Sequence, residues 1–157
     1  MIFSTDTASA GDGAVGLLMV EVAGERYGVP SDSVREVVRY RPWTIVPGAP
    51  LSLPGIISQR GVILPIVDLR ALLNLAEVEL AELGRAARFV VVQHTEVEMA
   101  LLVERVFDLV SVEVATVEMP VIDARRGRCV RGLAHLDGYP IGLLDLDAMI
   151  SLLREGS

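Results

Sequence analysis

The chain has 157 residues, 52% of them hydrophobic but only 4% aromatic, and a formal net charge of −7. That charge argues against a nucleic-acid binder, which needs a clustered positive face, and no apolar run approaches the roughly 18 residues of a membrane span. The single cysteine, Cys129, excludes an internal disulfide and fits a reducing cytoplasm.

Residues 1–15 (MIFSTDTASAGDGAV) lack the basic start and apolar stretch of a signal peptide and read as a disordered tail. Gly11 to Gly16 spells the letters of a dinucleotide fingerprint, but it precedes a strand instead of following one. Leu17 to Ala23 and Arg26 to Pro30 read as two strands of a hairpin joined at Gly24-Glu25. Ser31-Asp32-Ser33 suits one helical turn, and Val34 to Tyr40 resumes as a strand. Pro42, Pro47, Pro50 and Pro54 then mark a surface loop, because proline cannot donate to a ladder. Gly55 to Gln59 and Val62 to Val67 form a second hairpin around Arg60-Gly61. Asp68 is an N-cap for a helix over Leu69 to Leu75. Ala76 to Ala86 is an acidic, partly helical connector. Arg88 to His94, Val97 to Val103 and Arg105 to Val112 are strands assigned to the second half. Ala115 to Arg128 reads as a mobile loop. A last hairpin turns at Asp137-Gly138 and leads to Asp145, the N-cap of a helix over Leu146 to Leu153.

The chain repeats itself. Gly55 to Leu75 (GIISQRGVILPIVDLRALLNL) matches Gly132 to Leu152 (GLAHLDGYPIGLLDLDAMISL) at a constant offset of 77. A weaker echo pairs Val34 to Val38 with Val106 to Val110 at an offset of 72. Each half is too small to bury a good core alone. The expectation is one mainly β domain over residues 16–157, built from two small antiparallel barrels side by side with short capping helices. The pseudo-repeated subdomains run from about 24 to 84 and from about 96 to 144, with terminal segments open to exchange between them. A mean hydropathy of +0.49 suggests apolar surface reserved for partners.

No reaction centre is legible. Asp68 and Asp145 resemble the paired aspartates of two-lobed proteases only in number. Leu follows each of them, and N-capping explains both. His94 and His135 lack metal-ligand spacing, and His135 falls in a strand as a solvent-facing or locally packed residue. Cys129 has no nearby histidine and reads as a small buried hydrophobe. The basic loop around Arg126 reads as a solvated turn. No catalytic, metal or cofactor residue is assigned, and the profile is that of a binding module.

Several strings together resemble the CheW-like coupling proteins of bacterial chemosensory arrays. They are Tyr27-Gly28-Val29-Pro30, Val34-Arg35-Glu36-Val37, Ile45 to Pro50, Gly55-Ile56-Ile57, Arg60-Gly61 and Leu64 to Arg70. The second half adds Leu101 to Val106, Val130 to Leu133 and Leu143 to Leu146. The resemblance implies two five-stranded SH3-like barrels around a common core. It implies a cytoplasmic adaptor without catalysis or cofactor, recruited to membrane-associated receptor arrays. Its partners would be the regulatory domain of a CheA-type histidine kinase and the cytoplasmic tip of a chemoreceptor, with no nucleic acid and no direct membrane insertion.

The resemblance also implies partner-binding roles for Val34, Glu36, Gly55, Arg60, Val106, Leu109 and Gly132. From the residues alone, each has a plainer reading. Arg60 can be a solvated hairpin tip, although its counterpart Asp137 shows that a cation there is no folding requirement. Glu36 has the acidic counterpart Asp108, so both can simply face solvent. Val34, Val106 and Leu109 read as core, and Gly55 and Gly132 as shared backbone necessities. Trp43 suits either a contact anchor or packing at a barrel end. Ser58-Gln59 departs from the family's Asn-Leu, and Ala100 and Glu104 stand where Gly and Asp are common. These changes leave open which partner is recognised. A pilus- or gliding-type pathway, or a regulatory module for another scaffold or response regulator, is the alternative within the family. An enzyme using the inter-barrel cleft is the rival of a different class, and it lacks a nucleophile and a metal set.

Overall fold

Eleven strands and two helices make up what the computed structural model describes, residues 13–73, 83–113 and 128–155. In chain order, β1 (Ala14–Val22) and β2 (Glu25–Pro30) form a hairpin, and a 3-10 turn at Ser31–Ser33 leads to β3 (Val34–Arg39). Then come β4 (Thr44–Ile45), β5 (Gly55–Gln59), β6 (Val62–Asp68) and α1 (Leu69–Leu72). The second half supplies β7 (Arg88–His94), β8 (Val97–Val103), β9 (Arg105–Glu113), β10 (Val130–Leu136), β11 (Tyr139–Leu144) and α2 (Leu146–Arg154).

The first hairpin turns one residue earlier than the sequence suggests. Val22 pairs with Glu25, so the turn is Ala23-Gly24 and not Gly24-Glu25. A type I′ turn needs positive φ at both central residues, and glycine takes the second place. Ala23 (φ 51°) and Gly24 (φ 78°) meet that need, as do Arg60-Gly61 (54°, 78°) and Asp137-Gly138 (52°, 82°). The proline loop is less bare than expected, because β4 lies within it and pairs with β5 through Thr44↔Ile56 and Ile45↔Gly55. α1 ends at Leu72, with Leu73 already in a turn. The tail over residues 1–12, most of the acidic connector and nearly all of the Ala115–Arg128 stretch lie outside the described residues.

The strands form two sheets, with orders β3-β7-β8-β6-β5-β4 and β10-β11-β2-β1-β9. They do not follow the halves of the sequence. β7 and β8 join the first-half strands, while β1 and β2 complete the sheet of β9, β10 and β11. The repeat explains this. β1, β2 and β3 correspond to β7, β8 and β9 at an offset of 72, and β5-β6-α1 corresponds to β10-β11-α2 at 77. Written in equivalent strands, β3-β7-β8-β6-β5 and β9-β1-β2-β11-β10 are one strand order used twice. The two copies have exchanged their leading hairpins. Each sheet contains one parallel pair at the exchange, Ile66↔Ala100 in one and Leu143↔Gly28 in the other, and these are equivalent positions.

Period-two alternation sends each central strand into two cores. Val90 and Val92 of β7 enter a shared core with Leu18, Val20 and Val22 of β1, whereas Phe89 and Val91 point into the first barrel and Leu17 and Met19 into the second. Near-continuous burial of this kind is what runs such as Phe89 to Val92 require of a central strand. The helices finish the shared core with Leu69, Leu72, Leu146, Met149, Ile150 and Leu152.

Both predicted caps form. Asp68 Oδ1 accepts the Arg70 N–H at 3.0 Å, and Asp145 Oδ1 accepts the Ala148 N–H at 3.1 Å. Asp145→Ala is expected to cost about 1 kcal/mol in urea unfolding, the usual worth of an N-cap. At the other end of α2, Glu155 holds Arg128 through paired bonds, one at 3.1 Å, and ties the helix to the entry of β10. That hydrogen bond, with the glutamate charge, keeps the Arg128 guanidinium above its ordinary pKa. His94 Nε2 lies 2.6 Å from Asp147 Oδ1 and links β7 to the start of α2.

Candidate docking surfaces

Glu36 and Arg60, separate in the sequence reading, meet at the seam of the first barrel. The strand β3 stands at one edge of its sheet, and curling brings it to the tip of the β5–β6 hairpin. Arg60 Nε lies 3.3 Å from both carboxylate oxygens of Glu36, and Gln59 Nε2 donates to Glu36 Oε1 at 3.3 Å. Gln59, the departure from the family's leucine, thus has a structural partner. The Arg60 side chain is 78% exposed, so the pair contributes little to stability and leaves a charged clamp facing solvent. At the equivalent place in the second barrel stand Asp108 and Asp137, both exposed and both acidic. The two seams therefore differ in charge although the fold repeats.

On the same barrel, the loop around β4 carries an apolar ledge. Ile45 (72% exposed), Leu51 (84%) and Val46 form it, while Ile63 (66%) and Val62 are exposed on the β6 arm of the second hairpin. A groove of about 420 Å³ runs along the β4 loop between Trp43, Ile45, Pro47, Leu51 and Pro54. Trp43 stands edge-on to Tyr40 (5.8 Å) and Phe89 (6.3 Å), so it plugs the barrel end and lines the groove at once. Pro42 and Pro47 flank β4, which discourages strand addition and leaves side-chain docking as the use of this edge. The prolines marked this loop as surface, but nothing in the sequence singled out Leu51, and the exposure of both Val62 and Ile63 was hidden because two adjacent apolar residues in a strand normally bury one of the pair.

Gly55 is buried, and its role is geometric. A Cβ there would stand 2.2 Å from the Thr44 carbonyl oxygen and 2.3 Å from Trp43 Cδ1. Only glycine lets β4 and Trp43 close over β5. Val34 is also buried, packed in the shared core opposite Val92. Val106 and Leu109 of β9 are partly buried on the same core, facing Val20 and Leu18 in the register, and Val34 and Val37 are their respective equivalents on β3. The residues at this junction thus combine packing with partial exposure. Gly132 is buried in β10, beside a bulge between Val130 and Gly132, at the opposite end of the strand order from β9.

Cys129 is fully buried and His135 exposed. Among the described residues no group of three His, Cys, Asp or Glu is placed to hold a metal, and no helix is long and apolar enough to cross a membrane.

The family model of the CheW-like domain matches residues 16–154. The chain is similar to the chemotaxis protein CheW of Bacillus subtilis, 28% identical over 102 residues, which cover 65% of this chain and 64% of that protein's length. It is 30% identical over 139 residues to a probable chemotaxis protein CheW of Rhizobium etli, covering 86% of each. Its structure resembles that of the scaffolding protein TtCheW from Thermoanaerobacter tengcongensis with a TM-score of 0.77, covering 88% of each chain at 24% identity. With the family model spanning nearly all of the chain, the chain belongs to the CheW-like domain family.

Proposed function

We propose that this chain is a cytoplasmic adaptor, without catalysis of its own, that couples chemoreceptor tips to a CheA-type histidine kinase in a membrane-associated array. The observation that carries the reading is the ledge of Ile45, Val46 and Leu51 beside Trp43, an exposed apolar surface on a barrel rim. It fits the kinase's regulatory domain, packed barrel against barrel. The partly buried Val106 and Leu109 of β9, and separately the exposed Arg60–Glu36 clamp, fit the apolar and polar contacts of a receptor's helical hairpin bound in helix-in-groove fashion. Val34 supports β3 from within the core, and Gly55 shapes the ledge. Gly132 belongs to the same partner-binding set on the second barrel.

Two substitutions test the division. Ile45→Asp is expected to weaken binding of the kinase regulatory domain by about tenfold or more, as loss of a central apolar anchor does. Binding of a receptor-tip fragment should be unchanged, and the melting temperature should hold because Ile45 already faces solvent. Arg60→Ala is expected to weaken receptor or kinase association several-fold. Its melting temperature should fall by no more than a few degrees, since an exposed ion pair is worth about 0–1 kcal/mol. Calorimetric titration with purified kinase domain and receptor fragment reads both. If neither partner binds the unmodified chain, the adaptor reading is wrong. If Arg60→Ala unfolds the chain, the arginine is structural.

A further inference from the structure

On the second barrel, away from the ledge, one arginine is set in an aromatic mount. Arg26 of β2 reaches across β1, and its guanidinium carbon lies 4.7 Å from the Phe107 ring centre and 4.3 Å from that of Tyr139. Arg105 approaches the same Phe107 ring at 6.0 Å. Arg60, Arg70 and Arg128 each meet a carboxylate, whereas Arg26 and Arg105 meet none among the described residues. Contact with ring faces holds a guanidinium in place but leaves its in-plane N–H donors unused. A half-buried fork of fixed orientation with vacant donors is matched to a planar carboxylate, which it binds through two parallel bonds.

Next to it runs a groove of about 440 Å³, lined by Tyr27, Val130, Leu133, Tyr139 and Pro140. Tyr139 is 55% exposed and Pro140 is exposed, so the apolar lining continues onto the outer surface. That breadth suits a polypeptide better than an enclosed metabolite, and arginine with tyrosine is the composition of interface hot spots. Two acids share the rim. Glu25 takes the Tyr27 hydroxyl at 2.7 Å, and Glu21 sits between Arg26 and Arg105 in the strand register. Glu21 is therefore the fixed negative charge that an incoming acid meets on this face.

We propose that this rim is a docking site for an acidic, aliphatic segment of a partner protein, with a carboxylate on Arg26 and a neighbouring apolar side chain in the groove. It does not depend on the adaptor reading. The probe is a blocked hexapeptide of alternating leucine and glutamate, titrated into the full chain while the Arg26 side-chain N–H and Leu133 methyl signals are followed by NMR. Saturable shifts are expected, and the leucine–glutamine counterpart should give none. Arg26→Gln should weaken binding about tenfold, the loss of a bidentate charged contact. Glu21→Gln should strengthen it roughly two- to threefold, by removing that like charge. Thermal melts of both variants establish that they are folded, and Glu21→Gln keeps the test open if Arg26→Gln is not. Absence of saturable shifts at millimolar peptide, equal response to the glutamine peptide, or weaker binding by Glu21→Gln would each overturn the proposal.

Discussion

Arg70→Ala should be among the most destabilising single substitutions in this chain, costing about 3–5 kcal/mol, the penalty for stranding one partner of a buried ion pair. Asp68 and Arg70 are both nearly inaccessible. Arg70 Nε donates to Asp68 Oδ1 at 3.1 Å and Nη2 donates to Oδ2 at 3.1 Å, while the Arg70 backbone N–H also uses Oδ1. The Asp68 backbone N–H in turn donates to the Ser52 carbonyl at 2.9 Å, which ties the helix start to the bend that carries Leu51. Removing the guanidinium leaves a buried carboxylate with its cap but no counter-charge. In a chain of this size the melting temperature should fall by roughly 10 °C. The double substitution Asp68→Asn with Arg70→Met should recover most of the loss, because asparagine still caps the helix and no charge remains buried. Urea unfolding of the three proteins measures this. If Arg70→Ala alone is nearly neutral, the site is open to water and the pair is not the buried unit described here.

That pair illustrates what a sequence can reveal. The Asp68 and Asp145 caps, the X-Gly turns and the hairpin-to-helix repeat are local features, written in adjacent residues, and the structure has them at those places. The exchange of hairpins is not local. Alternation tells which face of a strand is buried but not which strand lies beside it, so β7 and β8 were assigned to the half in which they occur. The apolar runs at Phe89–Val92 and Met99–Val103 did carry a signal, since burial on both faces marks a central strand between two cores. The candidate docking surface divides in the same way. Arg60 stood out because the repeat replaces it with Asp137, but its partner Glu36 lies 24 positions away and no spacing rule joins them. Arg70 was equally visible as a difference, standing opposite Asp147, yet its burial follows from the junction of barrels and not from any pattern along the chain.

Gly55 offers the sharpest separation between touching a partner and shaping the surface that does. Gly55→Ala is expected to abolish most kinase-domain binding, by about tenfold or more, without placing any new atom on the ledge. The added Cβ would lie 2.2 Å from the Thr44 carbonyl oxygen, a backbone atom that no rotamer change can move. β4 pairs with β5 through just two register pairs, Thr44↔Ile56 and Ile45↔Gly55, extended by a long 3.4 Å bond from the Val46 N–H to the Pro54 carbonyl, so lifting this short strand is the cheapest way to relieve the clash. Lifting it displaces Ile45 from the ledge and Trp43 from its place against the stacked pair of Tyr40 and Phe89. The stability cost should be about 1–3 kcal/mol, that of overpacking, because the barrel interior beneath Trp43 remains filled. Trp43 is the chain's only tryptophan, so its fluorescence reports the event directly. The folded variant should emit at longer wavelength than the unsubstituted chain, and the shift should accompany the loss of binding. Unchanged emission with binding lost would instead make Gly55 a direct contact, and shifted emission with binding intact would remove the β4 ledge from the interface.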